Sequence, residues 1–302
     1  MITHAALATL ERAIRDAVGE SFRALNCDAV SGGCIHRALV VSDDNSHFFV
    51  KLNDVTALPM FEAEVDGLAA IAATGTFRTP AVVTYGHDDR HAFLILEHVD
   101  IRPLQSAADG ERFAEMLVAM HDATGERFGW HRDNYIGSTP QTNTPMDNWA
   151  LFFGRRRLQP QLALARANGF TGDLQRQGEC LIDRLPALFL DYRPDAALLH
   201  GDLWHGNAGV LPGGEPVIFD PAVHFGDRES DLAMSELFGG FPSAFYAAYR
   251  RIRPMHDDYE QRKMLYSLYH ILNHLNLFGQ SYLREATRLI AKLNQTLSLR
   301  WD

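Results

Sequence analysis

Three polar side chains in the second half of the chain have the types and the spacing that phosphoryl transfer requires. Asp202 follows the apolar pair Leu198-Leu199, Asn207 comes five residues later, and Asp220 follows the run Val217-Ile218-Phe219. An aspartate, four intervening residues and an asparagine is the spacing of a catalytic loop in which the aspartate takes the proton of the acceptor hydroxyl and the asparagine holds a metal ion. A second aspartate further along can complete the metal site.

The charge of the transferred group explains why these residue types are needed. A phosphoryl group in transfer carries dense negative charge, which a hard divalent cation with oxygen ligands neutralises. We expect Asn207 and Asp220 to hold Mg²⁺, while Asp202 stays free of the metal to meet the hydroxyl. The alternative is that Asp202 and Asn207 are ordinary turn residues. Their joint occurrence with strand-like flanks and the later Asp220 argues against that alternative.

A lysine and a glutamate form a second candidate pair. Residues 47–52 are rich in aromatic and branched side chains and predict a strand with Lys51 near its end. The apolar stripe of the helix that follows consists of Phe61, Val65, Leu68 and Ala72. Glu64 lies closer to the middle of this stripe than Glu62, so we expect it to turn inward, where a carboxylate needs a partner such as Lys51. The pair would hold the α- and β-phosphates of a nucleotide.

Glycines near residue 32 indicate a loop that covers a phosphate. Gly32 and Gly33 lie between two predicted strands and let the backbone approach a phosphate closely. A Gly-Gly hairpin turn has the same appearance and stays an alternative. Cys34 comes next, and backbone amides and exposure there would make its thiol oxidisable. The alternative is a small residue that fills the turn.

Composition limits the partners. The chain has 302 residues, of which 46% are hydrophobic, so it can bury a large core. The formal charge of −10 argues against nucleic acid or an anionic membrane surface as the main partner and favours a cationic or amine-bearing substrate. No apolar run approaches the length of a membrane span. The three widely spaced cysteines form no CxxC pair, which fits a reducing cytoplasm. We expect a monomer.

The pattern of elements changes near residue 100. Before it, a helix ending near Gly19 is followed by strand patterns at 37–42, 47–52, 81–85 and 92–99, whereas helical periodicity dominates afterwards. We therefore predict an α+β fold with two lobes. Residues 1–100 form a small antiparallel-sheet lobe for the nucleotide, and residues 101–302 form a larger, mainly helical lobe for catalysis and substrate binding. The polar, aromatic segment 128–141 is too long for a simple connector, and the sequence assigns it no role. Four polar residues of the last helical stretch also receive none: His270, Asn273, His274 and Asn276.

Several motifs together resemble the fructosamine kinase (ketosamine-3-kinase) family, within the protein-kinase-like fold, over essentially the whole chain. They are His200-Gly201-Asp202-Leu203-Trp204-His205-Gly206-Asn207, Phe219-Asp220-Pro221-Ala222, Asp227-Arg228-Glu229-Ser230-Asp231-Leu232-Ala233-Met234, Glu236-Leu237-Phe238-Gly239-Gly240-Phe241, Ser31-Gly32-Gly33-Cys34-Ile35, Phe49-Val50-Lys51, Met60-Phe61-Glu62-Ala63-Glu64 and Asp133-Asn134-Tyr135-Ile136-Gly137-Ser138-Thr139-Pro140-Gln141. Aminoglycoside and choline phosphotransferases share the first motif but usually have Ile-Asp-Trp where this chain has Phe219-Asp220-Pro221. The chain departs from the family at His205, usually serine, and at His224-Phe225, where paired tyrosines are common.

The resemblance implies ATP-dependent phosphorylation of the 3-hydroxyl of a sugar joined to an amine. The implied substrates are ribuloselysine, erythruloselysine or fructoselysine, free or on a protein, and the phosphorylated adduct then falls apart, which amounts to deglycation. A small-molecule kinase of the aminoglycoside or choline type is the alternative. The implied cofactors are ATP and Mg²⁺.

The resemblance also implies a role for each site residue. Asp202 is the catalytic base, Asn207 and Asp220 are the magnesium ligands, and Lys51 and Glu64 hold the phosphates. The backbone near the end of the last predicted strand receives the adenine, at Glu97, His98 and Val99.

Trp204 is the residue we expect to border the acceptor pocket. It lies two positions after Asp202 in a loop whose backbone must be exposed, and its ring can cover a sugar and attract an ammonium group. Burial of Trp204 under the loop is the alternative. Other candidates for this pocket are His205, His224 and Phe225. Acidic residues that would strengthen the attraction if they face the cleft are Asp227 and Glu229.

Two other classes of protein share single features with this chain. A metal-dependent phosphoesterase would need a Gly-Asn-His element, which the sequence lacks. A pseudokinase would have lost the lysine, the base or a metal ligand, and all of these are present.

Overall fold

A computed structural model describes residues 2–30 and 35–298 and has two lobes. The first is built around one antiparallel sheet and the second is mainly helical. The predicted α+β architecture with two lobes is therefore confirmed. Gly32, Gly33 and Cys34, for which a phosphate-covering loop and an oxidisable thiol are predicted, lie outside the described residues.

The N-terminal lobe is a five-stranded sheet flanked by two helices. In chain order its elements are α1 (His4–Val18), β1 (Asn26–Val30), β2 (Arg37–Ser42), β3 (His47–Asp54), α2 (Leu58–Ala73), β4 (Val82–His87) and β5 (His91–Glu97). The strand order is β1-β2-β3-β5-β4, and all neighbouring pairs are antiparallel. The end of α1 at Gly19 and the strand at 37–42 agree with the prediction.

Alternation along the strands gives this sheet two apolar faces. Ile95 of β5 packs on the side of α1, and the adjacent Leu94 packs on the side of α2. Val50 of β3 belongs to the α1 side. Since successive side chains of a strand point to opposite faces, Lys51 points towards α2.

The buried stripe of α2 differs from the predicted one. Phe61 and Leu68 are buried as expected, but the stripe continues through Ile71, and Ala72 is exposed. The assignment of Ala72 to the stripe is therefore wrong. The observed stripe is rotated by about one residue from the predicted one. Glu64 still turns inward, because it remains beside the buried face of the helix.

The C-terminal lobe consists of helices with three small two-stranded sheets. Its elements are α3 (Ala107–His121), β6 (Asn134–Ile136), β7 (Thr139–Gln141), α4 (Trp149–Phe153), α5 (Gln159–Ala167), α6 (Asp173–Arg184), β8 (Ala197–Leu199), β9 (Ala208–Val210), β10 (Pro216–Ile218), β11 (His224–Gly226), α7 (Glu229–Leu237), α8 (Ser243–Ile252), α9 (Tyr259–Phe278) and α10 (Leu283–Ser298). One apolar core joins α9 and α10 to α4–α6. A second joins α3 and α8 to the strands around residues 200–207, the segment that carries Asp202 and Asn207 and is termed the catalytic segment below. In the part of the chain that the structure describes, no helix is both long enough and apolar enough to cross a membrane.

The segment 128–141, to which the sequence assigns no role, links the two lobes. Trp130 Nε1 donates to the carboxylate of Asp66 on α2 at 2.7 Å. In the middle of the segment, the side chain of Asn134 donates to the carbonyl of Val223, the residue before β11, at 2.8 Å. The segment therefore ties the helix that carries Glu64 to the start of β11 in the C-terminal lobe.

We predict that Phe113→Ala destabilises the protein by about 3–5 kcal/mol, because the cavity it leaves lies in a packed aromatic cluster. Phe113 of α3 is fully buried, and its ring lies 4.8 Å from that of Phe77 and 5.1 Å from that of Phe241. Chemical denaturation measures the change. Leu190→Ala is the matched control, since Leu190 is 70% exposed and its truncation should change the free energy of unfolding by less than about 0.5 kcal/mol. Equal effects of the two truncations would contradict this account of the core.

Candidate active site

The catalytic segment is a tight loop between β8 and β9. Gly201 has φ +81°, and a Cβ at this position would lie 2.2 Å from the carbonyl oxygen of Ala222, so only glycine fits. Asp202 follows directly, and a short 3₁₀ turn at His205–Asn207 leads into β9. The backbone N–H of Phe219 donates to the carbonyl of Asn207 at 3.1 Å. This bond holds the loop against the end of β10. Asp220 is the residue directly after Phe219.

Asp231, on α7, fixes the start of this loop from beneath. Its carboxylate accepts the backbone N–H of His200 at 2.8 Å and that of Gly201 at 2.9 Å. The ring of His121 on α3 lies 3.2 Å from the same carboxylate, which is 1% exposed. Burial opposes its ionisation, but the bonds from His121 and Gly201 outweigh burial, so the pKa of Asp231 lies below its ordinary value. A buried, charged carboxylate thus holds two consecutive backbone donors just before Asp202.

Asp202 lies in a partly enclosed site beside Asn207. The Asn207 amide donates to its side chain at 3.1 Å and to its backbone carbonyl at 3.0 Å. Burial, followed by the negative charge of Asp220, raises the pKa of Asp202 to about 7, although the Asn207 bond acts in the opposite direction. A carboxylate with a pKa near neutrality is suited to accept a proton from a hydroxyl group.

Lys51 forms two ion pairs, and the one with Asp220 connects the two lobes. Its ammonium lies 2.6 Å from Glu64 of α2 and also pairs with Asp220 of the C-terminal lobe. Lys51 is 5% exposed. Burial alone would lower its pKa, but Asp220 and Glu64 together raise it above its ordinary value, so the lysine is charged. The predicted Lys51–Glu64 pair is present, and its second partner, Asp220, was not predicted.

Asp220 has an unusual backbone conformation. Its φ is +57°, a left-handed value that it shares among the described non-glycine residues only with Asp258. Aspartate tolerates this region better than most residues, at a cost of order 1 kcal/mol. The conformation turns the Asp220 carboxylate towards Lys51.

The oxygen atoms of Asn207 and Asp220 fit Mg²⁺. Both residues carry hard oxygen ligands, and the bond between Phe219 and Asn207 keeps their loops together. Among the described residues no group of three or more His, Cys, Asp or Glu side chains could hold a metal ion. Mg²⁺ usually takes only one or two protein ligands and completes its shell with phosphate oxygens and water. Two such oxygen donors would therefore suit a metal ion that also binds the phosphates of a nucleotide.

Contacts at the end of β5 reduce the number of backbone N–H groups that could contact adenine. The backbone N–H of Glu97 donates to the carbonyl of Ala81 at 2.8 Å, and its carboxylate accepts the backbone N–H of Ala81 at 3.1 Å and pairs with Arg78. Its backbone donor is thus already used. Contacts from backbone donors to a base would come from His98 and Val99, which follow the strand.

Trp204 forms part of an aromatic wall near Asp202. Its side chain is only partly buried, and its ring lies 4.8 Å from that of the exposed His205 and 6.1 Å from that of Phe238. The ring of Phe238 in turn lies 4.7 Å from that of His274. Burial of Trp204 in the core, the alternative, does not occur. The sequence assigned no role to Phe238 or His274, because the end of α7 and the helix α9, which bring them here, lie far from Trp204 in the chain.

Three other residues proposed for the acceptor pocket lie elsewhere. His224 is 5% exposed and its Nδ1 lies 3.2 Å from the carbonyl of Ala222, so it belongs to the core instead of the predicted pocket. Asp227 is buried and accepts the hydroxyl of Tyr192 at 2.9 Å. Glu229 is buried and pairs with Arg262 at 2.7 Å. Each of these acidic residues is held by an internal partner, so neither is available to attract a substrate cation beside Asp202.

Comparison with known proteins identifies the relatives of this chain. A sequence model of the family described as fructosamine kinase matches residues 6–296. A probable ketoamine kinase of Synechocystis sp. is 44% identical over 93% of this chain and 95% of its own length. A chloroplastic protein-ribulosamine 3-kinase of Arabidopsis thaliana is 39% identical over 90% of this chain and 83% of its own length.

Solved structures of similar fold support the same family. A crystal structure assigned as a fructosamine-3-kinase, from Haemophilus somnus, has a TM-score of 0.87 and 28% identity over 94% of this chain and 96% of its own. An aminoglycoside phosphotransferase in complex with ADP and hygromycin B has a TM-score of 0.62 over 97% of both chains, but at 16% identity this likeness shows the fold alone. The protein is thus a kinase, and it belongs to the fructosamine kinase family.

Proposed function

We propose that this kinase transfers the γ-phosphoryl group of ATP to the 3-hydroxyl of ketosamines such as ribuloselysine, erythruloselysine or fructoselysine. The observation that carries the proposal is the carboxylate of Asp202, whose pKa is raised to about 7, on a loop fixed by Asp231. The names of the curated relatives, ketoamine kinase and protein-ribulosamine 3-kinase, support the class of acceptor. The aminoglycoside and choline alternative is not favoured, since the likeness to aminoglycoside phosphotransferases is one of fold.

On the nucleotide side, the chain supplies charge and position. Lys51, kept charged by Glu64 and Asp220, is placed to bind phosphate oxygens. Asn207 and Asp220 would hold Mg²⁺, which when bound neutralises charge on the phosphates. The backbone of His98 and Val99 would take the adenine.

On the acceptor side, Asp202 accepts the proton of the 3-hydroxyl as the new O–P bond forms and the bond to ADP breaks. Asn207 orients this carboxylate through its amide. The ring of Trp204 covers the sugar, and together with the neighbouring rings it attracts the secondary ammonium group of the ketosamine.

A phosphate at C3 changes the stability of the product. Enolisation of the adjacent ketone makes that phosphate a leaving group, so the adduct loses inorganic phosphate and, with addition of water, releases the free amine and a deoxy-dicarbonyl sugar. Phosphorylation would thereby remove the sugar from a lysine. We also propose a cytoplasmic monomer, in which Cys27 and Cys180 are free thiols.

The test is a magnesium–ATP assay across ribuloselysine, erythruloselysine, fructoselysine, an aminoglycoside and choline. We expect ADP release with ketosamines only, loss of activity when a chelator removes Mg²⁺, and phosphorus NMR that places the new ester on C3. Phosphorylation of the aminoglycoside or choline with no turnover of any ketosamine would overturn the proposal.

We predict that Asp202→Asn lowers kcat by about 10²–10⁴-fold, the usual contribution of a positioned base, with little change in ATP affinity. Steady-state kinetics and nucleotide titration measure the two quantities. Asp191→Asn, at an exposed position, is the matched control and should leave both unchanged. Near-normal turnover in the Asp202 variant would show that another group takes the proton.

We predict that Trp204→Ala raises the KM for the ketosamine while the KM for ATP and the melting temperature stay close to those of the parent. The lost contact between ring and ammonium corresponds to roughly 0.5–2 kcal/mol, or about a 2- to 30-fold rise in KM. Trp204→Phe keeps an aromatic face and should recover part of the loss. As a contrast, Trp149→Ala should mainly lower the melting temperature, because Trp149 is a core residue that is 3% exposed. A Trp204 variant that unfolds early with an unchanged ketosamine KM would place this residue in the core as well.

A further inference from the structure

The ring of His270 lies beside the carboxylate of Asp202, and its Nδ1 atom has no hydrogen-bond partner among the described residues. The residue lies on α9 and is 4% exposed. The Nδ1 atom is 3.9 Å from Oδ1 of Asp202. An unpaired buried ring nitrogen is costly, so its retention beside the reacting group calls for a functional reason.

The two oxygen atoms of Asp202 are held unequally. Asn207 donates to Oδ2 at 3.1 Å. Oδ1, which faces His270, receives no hydrogen bond from the residues that the structure describes. A carboxylate held at one oxygen only can turn about its last side-chain bond, which would misdirect the lone pair that must meet the substrate hydroxyl.

The ring of His270 is neutral and has one N–H to donate. Burial lowers its pKa to about 3, with a further decrease from His274, an opposing increase from Asp231 and a smaller decrease from Arg157. A neutral imidazole carries one N–H. The negative charge of Asp202 at 3.9 Å favours the proton on Nδ1, since the other tautomer would point a lone pair at a carboxylate.

We propose that His270 positions the catalytic base by donating its Nδ1–H to Oδ1 of Asp202 when the substrates are bound. Hydrogen bonds of catalytic groups are often long in the unliganded enzyme and shorten in the reactive complex. With Asn207 on one oxygen and His270 on the other, the Asp202 carboxylate keeps a single orientation towards the acceptor hydroxyl. His270 touches neither substrate in this account and acts only through Asp202. The inference rests on the proposed function of Asp202 as the base.

Two substitutions separate positioning from packing. His270→Leu keeps an apolar side chain in the core but removes the donor, and we expect kcat to fall by about 10- to 100-fold, the effect of losing a hydrogen bond to a charged group. The KM values for ATP and the ketosamine should not change. His270→Asn places an amide N–H near the position of Nδ1, and it should restore kcat to within about threefold of the parent. A His270→Leu enzyme with parental kcat, or a His270→Asn enzyme as slow as His270→Leu at equal melting temperature, would overturn the proposal.

A measurement on the unmodified protein keeps the inference testable if a variant does not fold. A two-dimensional ¹H–¹⁵N spectrum of the histidine rings reports which nitrogen carries the proton. The His270 signal is the one that disappears in the spectrum of His270→Asn. If that variant does not fold, the signal is assigned through its contacts with neighbouring residues. We expect protonation at Nδ1, and protonation at Nε2 alone would overturn the proposal. This result does not depend on turnover. A protein that phosphorylates no ketosamine but has the Nδ1–H tautomer would contradict the proposed acceptor and leave the arrangement around Asp202 intact.

Discussion

The buried carboxylate of Asp231 is the contact on which the rest of the site depends. It accepts backbone N–H groups from His200 and Gly201 and contacts the ring of His121. Each of these groups, if left unpaired in the core, would cost about 1–3 kcal/mol. Because one side chain satisfies all of them, helices α3 and α7 and the catalytic segment are fixed to one another before any substrate binds. Asp202 therefore projects from a rigid loop, which is what a positioned base requires.

On the nucleotide side, too, a buried charged group holds separate elements together. Here the group is the ammonium of Lys51, and the elements come from both lobes. Lys51 comes from the sheet, Glu64 from α2, and Asp220 from the loop after β10. The lysine could not stay charged in a buried position without these carboxylates. The segment 128–141 supports the arrangement from outside, since Trp130 holds Asp66 two residues beyond Glu64. Opening of the lobes would have to break the Lys51–Asp220 pair and the Trp130–Asp66 bond, so the Lys51–Asp220 pair couples lobe closure to the geometry of the proposed phosphate site.

Local patterns predicted much of this fold, and long-range contacts account for what they missed. The strands at 37–42 and 47–52, the helix ending at Gly19 and the inward turn of Glu64 follow from periodicity. Spacing likewise predicted Asp202, Asn207 and Asp220 as candidate site residues, because the residues of one loop are continuous in sequence. Asp231 and His270 reach the loop from helices up to 68 positions away, and no spacing rule relates them to it. The prediction that His224 borders the acceptor pocket was wrong for a similar reason. Its proximity to Asp220 along the chain does not determine which side of β11 faces the core.

The distribution of acidic groups decides how an amine-bearing acceptor can be recognised. Asp227 and Glu229 are committed to tyrosine hydroxyls and to Arg262 inside the helical lobe, so they add no attraction in the cleft. The overall charge of −10 acts on a cation only over about 8–10 Å at physiological salt, and it does not distinguish one amine from another. Under the proposed function, selectivity at contact distance comes from groups around Asp202 that are at least partly exposed and polarisable. The rings of Trp204, His205, Phe238 and His274 meet that requirement. An aromatic wall of this kind would favour a sugar joined to an ammonium group over a polycationic acceptor, whose many charges call for several carboxylates.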